Sequence, residues 1–283
     1  MRRDDQATKL REMMKKVPRK AKILTLTSGK GGVGKTVTAI NLGLCLAASG
    51  KRVILVDVDL GLANVDVLLN LNCQQNLYHV LAGQAQLEDV IVTIPGGLEV
   101  VPGGSGVSSM ANLSEFERHR LLQMLSDLQS QADLIILDTA AGISRNVMAF
   151  VDMADHVLVV TTAEPAAITD AYAMIKTAVQ EGVSGHISLL LNRVTGRVEA
   201  RTCQQRLAQV VKRFLGLTIY DAGYLVEDPC VIQAVKKRKP FILEYPKSQA
   251  SYCLMNLASK LARNVQPPTQ EVGFFRRVAN LFF

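Results

Sequence analysis

The sequence predicts an α/β fold in which helices flank both faces of a mostly parallel β-sheet. Six short apolar runs of strand length alternate along the chain with segments of helical periodicity. With 283 residues, of which 48% are hydrophobic and 20% charged, the chain can bury a core of its own. The predicted strands are KILTLTS (22–28), RVILVDV (52–58), LEVVPG (98–103), DLIILDT (133–139), HVLVVTT (156–162) and HISLLLN (186–192).

The segments between and after these runs predict the helices. One helix begins at Gly34, directly after a glycine-rich turn. Ser114, followed three residues later by Glu117, forms a capping box that opens a helix ending near Gln131. Further helices are expected over about 165–180, 199–214 and 248–263. The segment VQPPTQEVG (265–273) contains two prolines and no apolar periodicity, which is typical of a linker.

The segment GFFRRVANLFF (273–283) contains four of the eight phenylalanines in the chain. On a helix at about 100° per residue, its main apolar side chains share an arc of about 120°, with Arg276 and Arg277 outside it. This pattern predicts a C-terminal amphipathic helix that binds a membrane surface, although the same face would also suit the protein's own core or a partner's groove. The apolar positions are Phe274, Phe275, Val278, Leu281 and Phe282.

Composition and charge argue against several classes of protein. The longest apolar runs fall far short of the roughly 18 residues of a membrane span, and Met1 is followed by charged residues, so we expect a cytoplasmic protein. The five cysteines are odd in number and never spaced C-x-x-C, which favours buried free thiols over disulfides or a zinc site. Residues 1–22 hold nine basic and three acidic side chains, so six of the seven net positive charges lie there. The nearly neutral remainder argues against direct DNA binding.

The segment GKGGVGKT fits the pattern G-x-x-x-x-G-K-T, and it lies between the first predicted strand and the first predicted helix. Its glycines let backbone N–H groups turn toward phosphates, and the helix N-terminus adds partial positive charge. Lys35 is expected to reach the β- and γ-phosphates as a catalytic group, and Thr36 to offer its hydroxyl to Mg²⁺. The expected phosphate contacts are Gly29, Lys30, Gly31, Gly32, Val33, Gly34, Lys35 and Thr36.

Two predicted strands end in aspartates beside this loop, with Asp57 and Asp59 after one and Asp138 after the other. A magnesium–nucleotide site needs one acid near the metal and another that orients the attacking water. We assign Asp138 to Mg²⁺, Asp57 to support of the metal's ligand shell and Asp59 to the water; helix capping is the alternative for each. The segment beginning at Asn192 lacks the aspartate of a guanine-binding N-K-x-D motif, which favours ATP.

With its additional Lys30, the loop resembles the deviant Walker A motif of the MinD/ParA class of P-loop ATPases, and the resemblance covers roughly residues 22–262. It implies that ATP drives formation of a homodimer in which Lys30 reaches the partner's phosphates and acts in catalysis. It also implies that Asn192 and Arg193 hold the adenine, and that the loop containing Pro229 closes over it. DTAAG (138–142) is similar to switch II of the class, in which a proline more often occupies position 140.

Within that class, DQATKLR (5–11) is similar to the N-terminal motif D-Q-A-x-x-L-R of the FlhG family, also called FleN or YlxH. This resemblance implies control of flagellar number and placement. It further implies that the motif stimulates the GTPase FlhF, and that the C-terminal helix binds the cytoplasmic face of the inner membrane in the ATP-bound dimer. A flagellar transcription activator or switch-complex proteins are additional partners in the family. The motif positions are Asp5, Gln6, Ala7, Leu10 and Arg11.

The sequence therefore predicts a slow, Mg²⁺-dependent ATPase that acts as a molecular switch. Its expected segments are a basic extension (1–21), a MinD-like ATPase domain (22–264), a linker (265–272) and a membrane-targeting helix (273–283). Four alternatives remain. A MinD-type division-site regulator leaves DQATKLR unexplained, and the charge distribution disfavours a ParA-type partition ATPase. A nitrogenase iron protein needs cysteines that bridge an iron–sulfur cluster, and a nucleotide-binding scaffold would lack turnover.

Overall fold

The computed structural model describes residues 20–59, 61–104 and 115–265. Within them, eight strands form one sheet in the order β3-β4-β2-β5-β1-β6-β7-β8. Neighbouring strands are parallel except for the antiparallel pair β3 and β4. The strands are β1 (Lys22–Ser28), β2 (Val53–Val58), β3 (Val92–Thr93), β4 (Glu99–Val101), β5 (Leu134–Ala141), β6 (His156–Thr161), β7 (His186–Val194) and β8 (Tyr220–Val226).

Helices connect the strands and, as a parallel sheet requires, cover both of its faces. The longest of them follows β7, and the last described helix packs along β8. The helices are α1 (Lys35–Ala47), α2 (Val65–Leu68), α3 (Leu77–Leu81), α4 (Leu87–Val90), α5 (Glu115–Leu128), α6 (Arg145–Asp152), α7 (Pro165–Gln180), α8 (Arg197–Leu215), α9 (Pro229–Lys236), α10 (Phe241–Glu244) and α11 (Gln249–Val265).

Alternate strand residues supply the two halves of the core. In β2, Ile54 and Val56 belong to the half beneath α5, α6, α7 and α8. Val53 and Leu55 belong to the other half, beneath α1, α10 and α11. Successive strand side chains point to opposite faces, and both faces are covered, so β2 is buried at every position. This explains why the central strands read as continuous apolar runs.

The predicted fold class is confirmed, and all six predicted runs contain strands. Two strands were missed. β3 has only two residues, and β8 (YDAGYLV) contains a glycine and an aspartate that lower strand propensity. Of the predicted helices, that over 165–180 has the predicted bounds, and the others differ by up to three residues at their ends. The shorter helices α2, α3, α4, α6, α9 and α10 were not predicted.

Several predictions fall on segments outside the described residues. These are the basic extension through residue 19, the capping residue Ser114, the linker from residue 266 to 272 and the C-terminal amphipathic helix. Val265, predicted as the first linker residue, is instead the last residue of α11. Across 20–59, 61–104 and 115–265, no helix is both long enough and apolar enough to cross a membrane. All five cysteines are free thiols, as predicted, although Cys45 alone is fully buried and the other four are half-buried.

The carboxyl ends of parallel strands bring the predicted site residues to one edge of the sheet. β1 leads into the glycine-rich loop, β5 carries Asp138, and β7 carries Asn192 near its end. β2 and β5 are neighbours, and Asp57 lies directly opposite Asp138 in their register. Residues far apart in sequence therefore meet around the start of α1, where open α/β sheets bind their ligands.

Candidate nucleotide-binding site

The glycine-rich loop is fixed by close contacts with two other elements. A Cβ at Gly29 would collide with the backbone carbonyl of Asp170 in α7, and a Cβ at Gly34 would collide with the Asn192 amide. Gly34 also has a φ of 90°, in the left-handed region that favours glycine, and it caps the N-terminus of α1. The loop thus requires glycine at both of its ends.

Lys35 and Asp138 form a buried ion pair at the base of this loop. The Lys35 Nζ lies 2.7 Å from Asp138 Oδ1, and the two side chains are 8% and 1% exposed. The other carboxylate oxygen, Oδ2, is buried and has no hydrogen-bond partner among the residues that the structure describes. This oxygen therefore has a free acceptor position, which suits a bound cation or a water in its ligand shell.

Asp57 anchors the loop that follows β2. Its Oδ1 accepts a hydrogen bond from the Asp59 N–H at 3.1 Å, and its Oδ2 accepts from the Asn64 N–H at 3.0 Å and the Val65 N–H at 3.1 Å. Burial, reinforced by the charge of Asp138, raises the pKa of Asp57 to about 7, although the three N–H groups oppose that shift. The sequence prediction missed this anchoring function, since it depends on backbone groups up to eight residues away.

Asp59 lies half-buried on the loop that Asp57 anchors. Its Oδ1 accepts a hydrogen bond from the Leu62 N–H at 3.2 Å. Thr36, also half-buried, occupies the second position of α1. The structure therefore places Thr36 beside the loop and Asp59 on the adjacent segment, and their assigned functions stay predictions.

Lys30 differs from Lys35 in its surroundings. Its Nζ contacts Glu164 Oε2 at 2.9 Å, and the two side chains are 42% and 65% exposed. Glu164 is the residue that precedes Pro165, where α7 begins. The ion pair lies at the protein surface, so the Lys30 amine is accessible to solvent and to a second molecule. Sequence reasoning did not identify Glu164, because it lies 134 positions from Lys30.

Asn192 and Arg193 lie beside the loop, at the end of β7. The Asn192 Nδ2 donates to the Val33 carbonyl at 2.7 Å, and its Oδ1 accepts from the Arg193 N–H at 2.9 Å. Arg193 is exposed and has a φ of 55°, a backbone conformation that costs free energy in a residue with a side chain. Asn192 therefore also positions the phosphate loop, a function that sequence reasoning did not assign to it.

The loop of residues 227–229, which is predicted to close over the adenine, is hydrogen-bonded to the same end of the sheet. The Glu227 N–H donates to the Val194 carbonyl at 2.9 Å, which joins this loop to β7. Asp228 caps α9 by accepting from the Cys230 N–H at 2.9 Å and also accepts from the Ala250 N–H of α11 at 3.1 Å. Pro229 follows as the first residue of α9, and its assignment to the adenine site stays a prediction.

Two groups of predicted site residues lie outside the described residues. One is the N-terminal motif of Asp5, Gln6, Ala7, Leu10 and Arg11, and the other is the apolar face of Phe274, Phe275, Val278, Leu281 and Phe282.

The donor set fits Mg²⁺ held together with a nucleotide. Among the described residues, no group of three or more His, Cys, Asp or Glu side chains forms a metal cage. Mg²⁺ in phosphate sites takes few protein ligands and completes its shell with water and phosphate oxygens. The Thr36 hydroxyl and the unpartnered Asp138 Oδ2 supply a donor set of that kind.

Comparisons with known proteins identify the family of this chain. The family model AAA_31, an AAA domain, matches residues 21–184. Antiactivator FleN of Pseudomonas aeruginosa is 41% identical over 239 residues, which cover 84% of this chain and 85% of FleN. The flagellum site-determining protein YlxH of Helicobacter pylori is 33% identical over 264 residues, which cover 91% of this chain and 89% of YlxH. The chain belongs to the FleN/YlxH (FlhG) family of P-loop ATPases.

A solved structure shares the fold. The septum site-determining protein MinD of Pyrococcus horikoshii, complexed with Mg-ADP, has a TM-score of 0.73 and 23% sequence identity, and the match covers 88% of this chain and 100% of that chain. The MinD-like architecture predicted from the sequence is thereby confirmed, as is the FlhG-family resemblance predicted from GKGGVGKT and DQATKLR.

Proposed function

We propose that this FlhG-family protein is an ATP-dependent dimerising switch that hydrolyses ATP slowly and controls flagellar number and placement. The exposure of Lys30 is the observation that carries the proposal. A lysine that contacts the phosphates bound to a second subunit must be exposed on the surface of its own subunit. The Lys30 side chain is 42% exposed. Its carboxylate partner is also exposed, so an anionic phosphate can compete for the amine in water.

The residues of one subunit have distinct functions in this proposal. The loop N–H groups and Lys35 bind the phosphates of ATP. Thr36 and Asp138 hold Mg²⁺, which when bound neutralises charge on the β- and γ-phosphates. Asp59 orients the attacking water, and Asp57 supports the site by holding the loop that carries Asp59. Turnover is slow because this set of side chains contains no arginine finger, and Lys30 of the second subunit supplies the additional cation.

The test measures oligomeric state with ATP and with ADP. The wild-type mass, determined by light scattering after gel filtration, should double with ATP and not with ADP. Lys30→Ala should remain monomeric with ATP while still binding nucleotide. Lys176→Ala, which removes an exposed lysine from α7, is the matched control and should dimerise as the wild type does. Dimers of Lys30→Ala that persist with ATP would contradict the assignment of Lys30 to the second subunit.

We also propose that the ATP-bound dimer attaches to the cytoplasmic face of the inner membrane through residues 273–283. One short helix binds lipid marginally, whereas two on one dimer gain avidity. Vesicles containing phosphatidylglycerol should sediment the full chain with ATP. They should leave a chain ending at Val272 in solution under the same conditions. Sedimentation of both chains would show that the body, not the terminal segment, binds the lipid.

Two protein partners belong to the proposal. Residues 5–11 should stimulate an FlhF-type GTPase, so a peptide of residues 1–20 should raise its turnover and Gln6→Ala should remove that effect.

The relative from P. aeruginosa is named an antiactivator, which supports a further partner among flagellar transcription activators. Pull-down of that activator by the ATP-bound dimer, and not by Lys30→Ala, would test this second interaction.

A further inference from the structure

A groove follows the free edge of the sheet, beside β8. Its volume is about 790 Å³, its floor is formed by residues 219–224, and its walls are α8 and α11. β8 is the last strand of the sheet, so the groove runs along an edge that no other described strand covers. Nothing in the nucleotide site or the proposed switch uses this surface.

Each wall presents one continuous face of a helix. The lining positions of α8 are spaced i, i+4, i+7, i+8 and i+11, and four of the five on α11 are spaced i, i+3, i+4 and i+7, which places their side chains on one face of each helix. The groove is therefore a feature of helix packing and not a gap between loops. The lining residues of α8 are Arg197, Arg201, Gln204, Gln205 and Ala208, and those of α11 are Cys253, Asn256, Leu257, Ser259 and Lys260.

At the centre of the β8 edge, side chains already form hydrogen bonds with the backbone N–H and carbonyl groups. Gln204 Nε2 donates to the Gly223 carbonyl at 2.7 Å and to Asp221 Oδ1 at 2.6 Å. The same Asp221 oxygen accepts from the Gly223 N–H at 2.7 Å. The backbone groups of Gly223 are thus occupied, which prevents a new strand from pairing there. An occupant of the groove must be recognised mainly through its side chains.

The groove carries an unbalanced positive charge. Arg197, Arg201 and Lys260 are exposed, and none of them forms an ion pair with another residue that the structure describes. Lys260 Nζ lies 3.7 Å from the position of a Cβ on Gly223, so this amine extends over the floor. The one carboxylate on the floor, Asp221, is engaged by the hydrogen bonds described above. Three cations therefore face the groove from both walls without a fixed counter-charge.

Apolar surface lies between these cations. Leu257 and Ile219 are buried in the core and reach the groove, and Ala208 lies half-buried on the α8 wall. A groove that offers both cations and apolar lining along a strand edge suits an extended chain, whose side chains point alternately to opposite sides. We propose that this groove binds an acidic, extended peptide segment of a partner protein.

Two other anionic partners fit the geometry less well. The cations lie on the walls of a concave groove and not on a convex face, so a lipid surface meets the rims of α8 and α11 before it reaches Lys260. A DNA duplex is likewise broader than an extended chain and fits a concave groove less well. An extended peptide enters between the helices and reaches all three cations.

The experiment uses two labelled peptides of about nine residues, a length that spans the floor: one alternates Glu and Val and the other alternates Lys and Val. Fluorescence anisotropy with the full chain should show saturable binding of the Glu/Val peptide, weakened by added salt, and none of the Lys/Val peptide. Arg201→Glu and Lys260→Glu should each weaken binding at least about tenfold. Arg206→Glu, on the outer face of the same helix, is the matched control and should bind as the wild type does.

Unchanged basal ATP turnover in all three variants serves as the check on folding, because none of these residues belongs to the nucleotide site. Hydrogen exchange should show that the peptide protects residues 219–224. The proposal is overturned by any of three results: no saturable binding of the Glu/Val peptide, equal loss in Arg206→Glu, or protection elsewhere. Displacement of the peptide by a DNA duplex or by phosphatidylglycerol vesicles at lower concentration than by unlabelled peptide would also overturn it, in favour of that partner.

Discussion

Lys30 and Lys35, five residues apart in the phosphate loop, each form an ion pair, but one pair is exposed and the other is buried. Lys35 is 8% exposed and pairs with a carboxylate that is 1% exposed, whereas Lys30 is 42% exposed and pairs with one that is 65% exposed. The buried pair holds the loop to the sheet, and removal of one partner leaves an uncompensated charge in the interior. The exposed pair competes with water, so it contributes little to stability and can exchange its partner.

Removal of the buried cation should have the largest effect. Lys35→Met keeps the length of the side chain but leaves Asp138 and Asp57, both fully buried, side by side without a cation. We expect the free energy of unfolding to fall by about 3–5 kcal/mol at pH 8. The loss should be smaller at pH 5, where protonation of a carboxyl relieves the repulsion. Urea unfolding at the two pH values measures both quantities.

The double variant Lys35→Met/Asp138→Asn is the control for that prediction. It replaces both charges with neutral groups of similar shape, which is nearly neutral for many buried pairs, so most of the lost stability should return. A double variant as unstable as Lys35→Met would mean that packing of the lysine stem, and not its charge, stabilises the loop.

The second prediction concerns Asp57, a buried acid whose hydrogen bonds come from the backbone. Its pKa is about 7 in the folded protein against 3.8 for the ordinary group, so between these values the folded state holds a proton that the unfolded state has released. The contribution of Asp57 to the free energy of unfolding should therefore fall as pH rises from about 4 to about 7, by about 1 kcal/mol per pH unit. Asp57→Asn should remove this decline, and urea unfolding across that pH range measures it.

His156, at the opposite end of the sheet, provides the contrasting case. Burial, followed by the charge of His186, lowers the pKa of His156 from 6.5 to about 4. The unfolded state then binds more protons between these values, so this group makes stability rise with pH up to about 6.5. The two groups oppose each other in the wild type, and only the difference between wild type and Asp57→Asn isolates Asp57. A difference that stays constant from pH 4 to 7 would contradict the raised pKa.

The third prediction tests how α7 holds the loop. In Gly29→Ala the new Cβ would overlap the Asp170 carbonyl, so either the loop or α7 must shift. Such overpacking typically costs about 1–3 kcal/mol of stability. Gly31→Ala is the matched control, because a Cβ there meets nothing within 4 Å and its stability should be unchanged. Equal thermal denaturation midpoints for the two variants would show that the loop is free to move.

The site features that could be predicted are those formed by residues close together in the sequence. The phosphate loop, its position after β1 and the aspartates at the ends of β2 and β5 were all predicted, since strand periodicity and glycine spacing are local signals. The hydrogen bonds from Asn192 to Val33 and from Asp57 to the loop amides were not predicted, because they depend on backbone groups brought together by the fold. The groove beside β8 was missed for a related reason: its basic residues belong to two helices separated in sequence by β8 and α9.

The smallest expected effect is on the exposed pair of Lys30 and Glu164. A double-mutant cycle of Lys30→Ala, Glu164→Ala and the double variant should give a coupling energy of at most about 1 kcal/mol in the monomer, because both side chains are exposed to water. Thermal denaturation at low salt and with about 1 M salt measures it, and screening should abolish the coupling. A coupling that survives high salt would mean that the pair is held rigidly, and Lys30 would then be a structural group like Lys35 instead of one available to a second subunit.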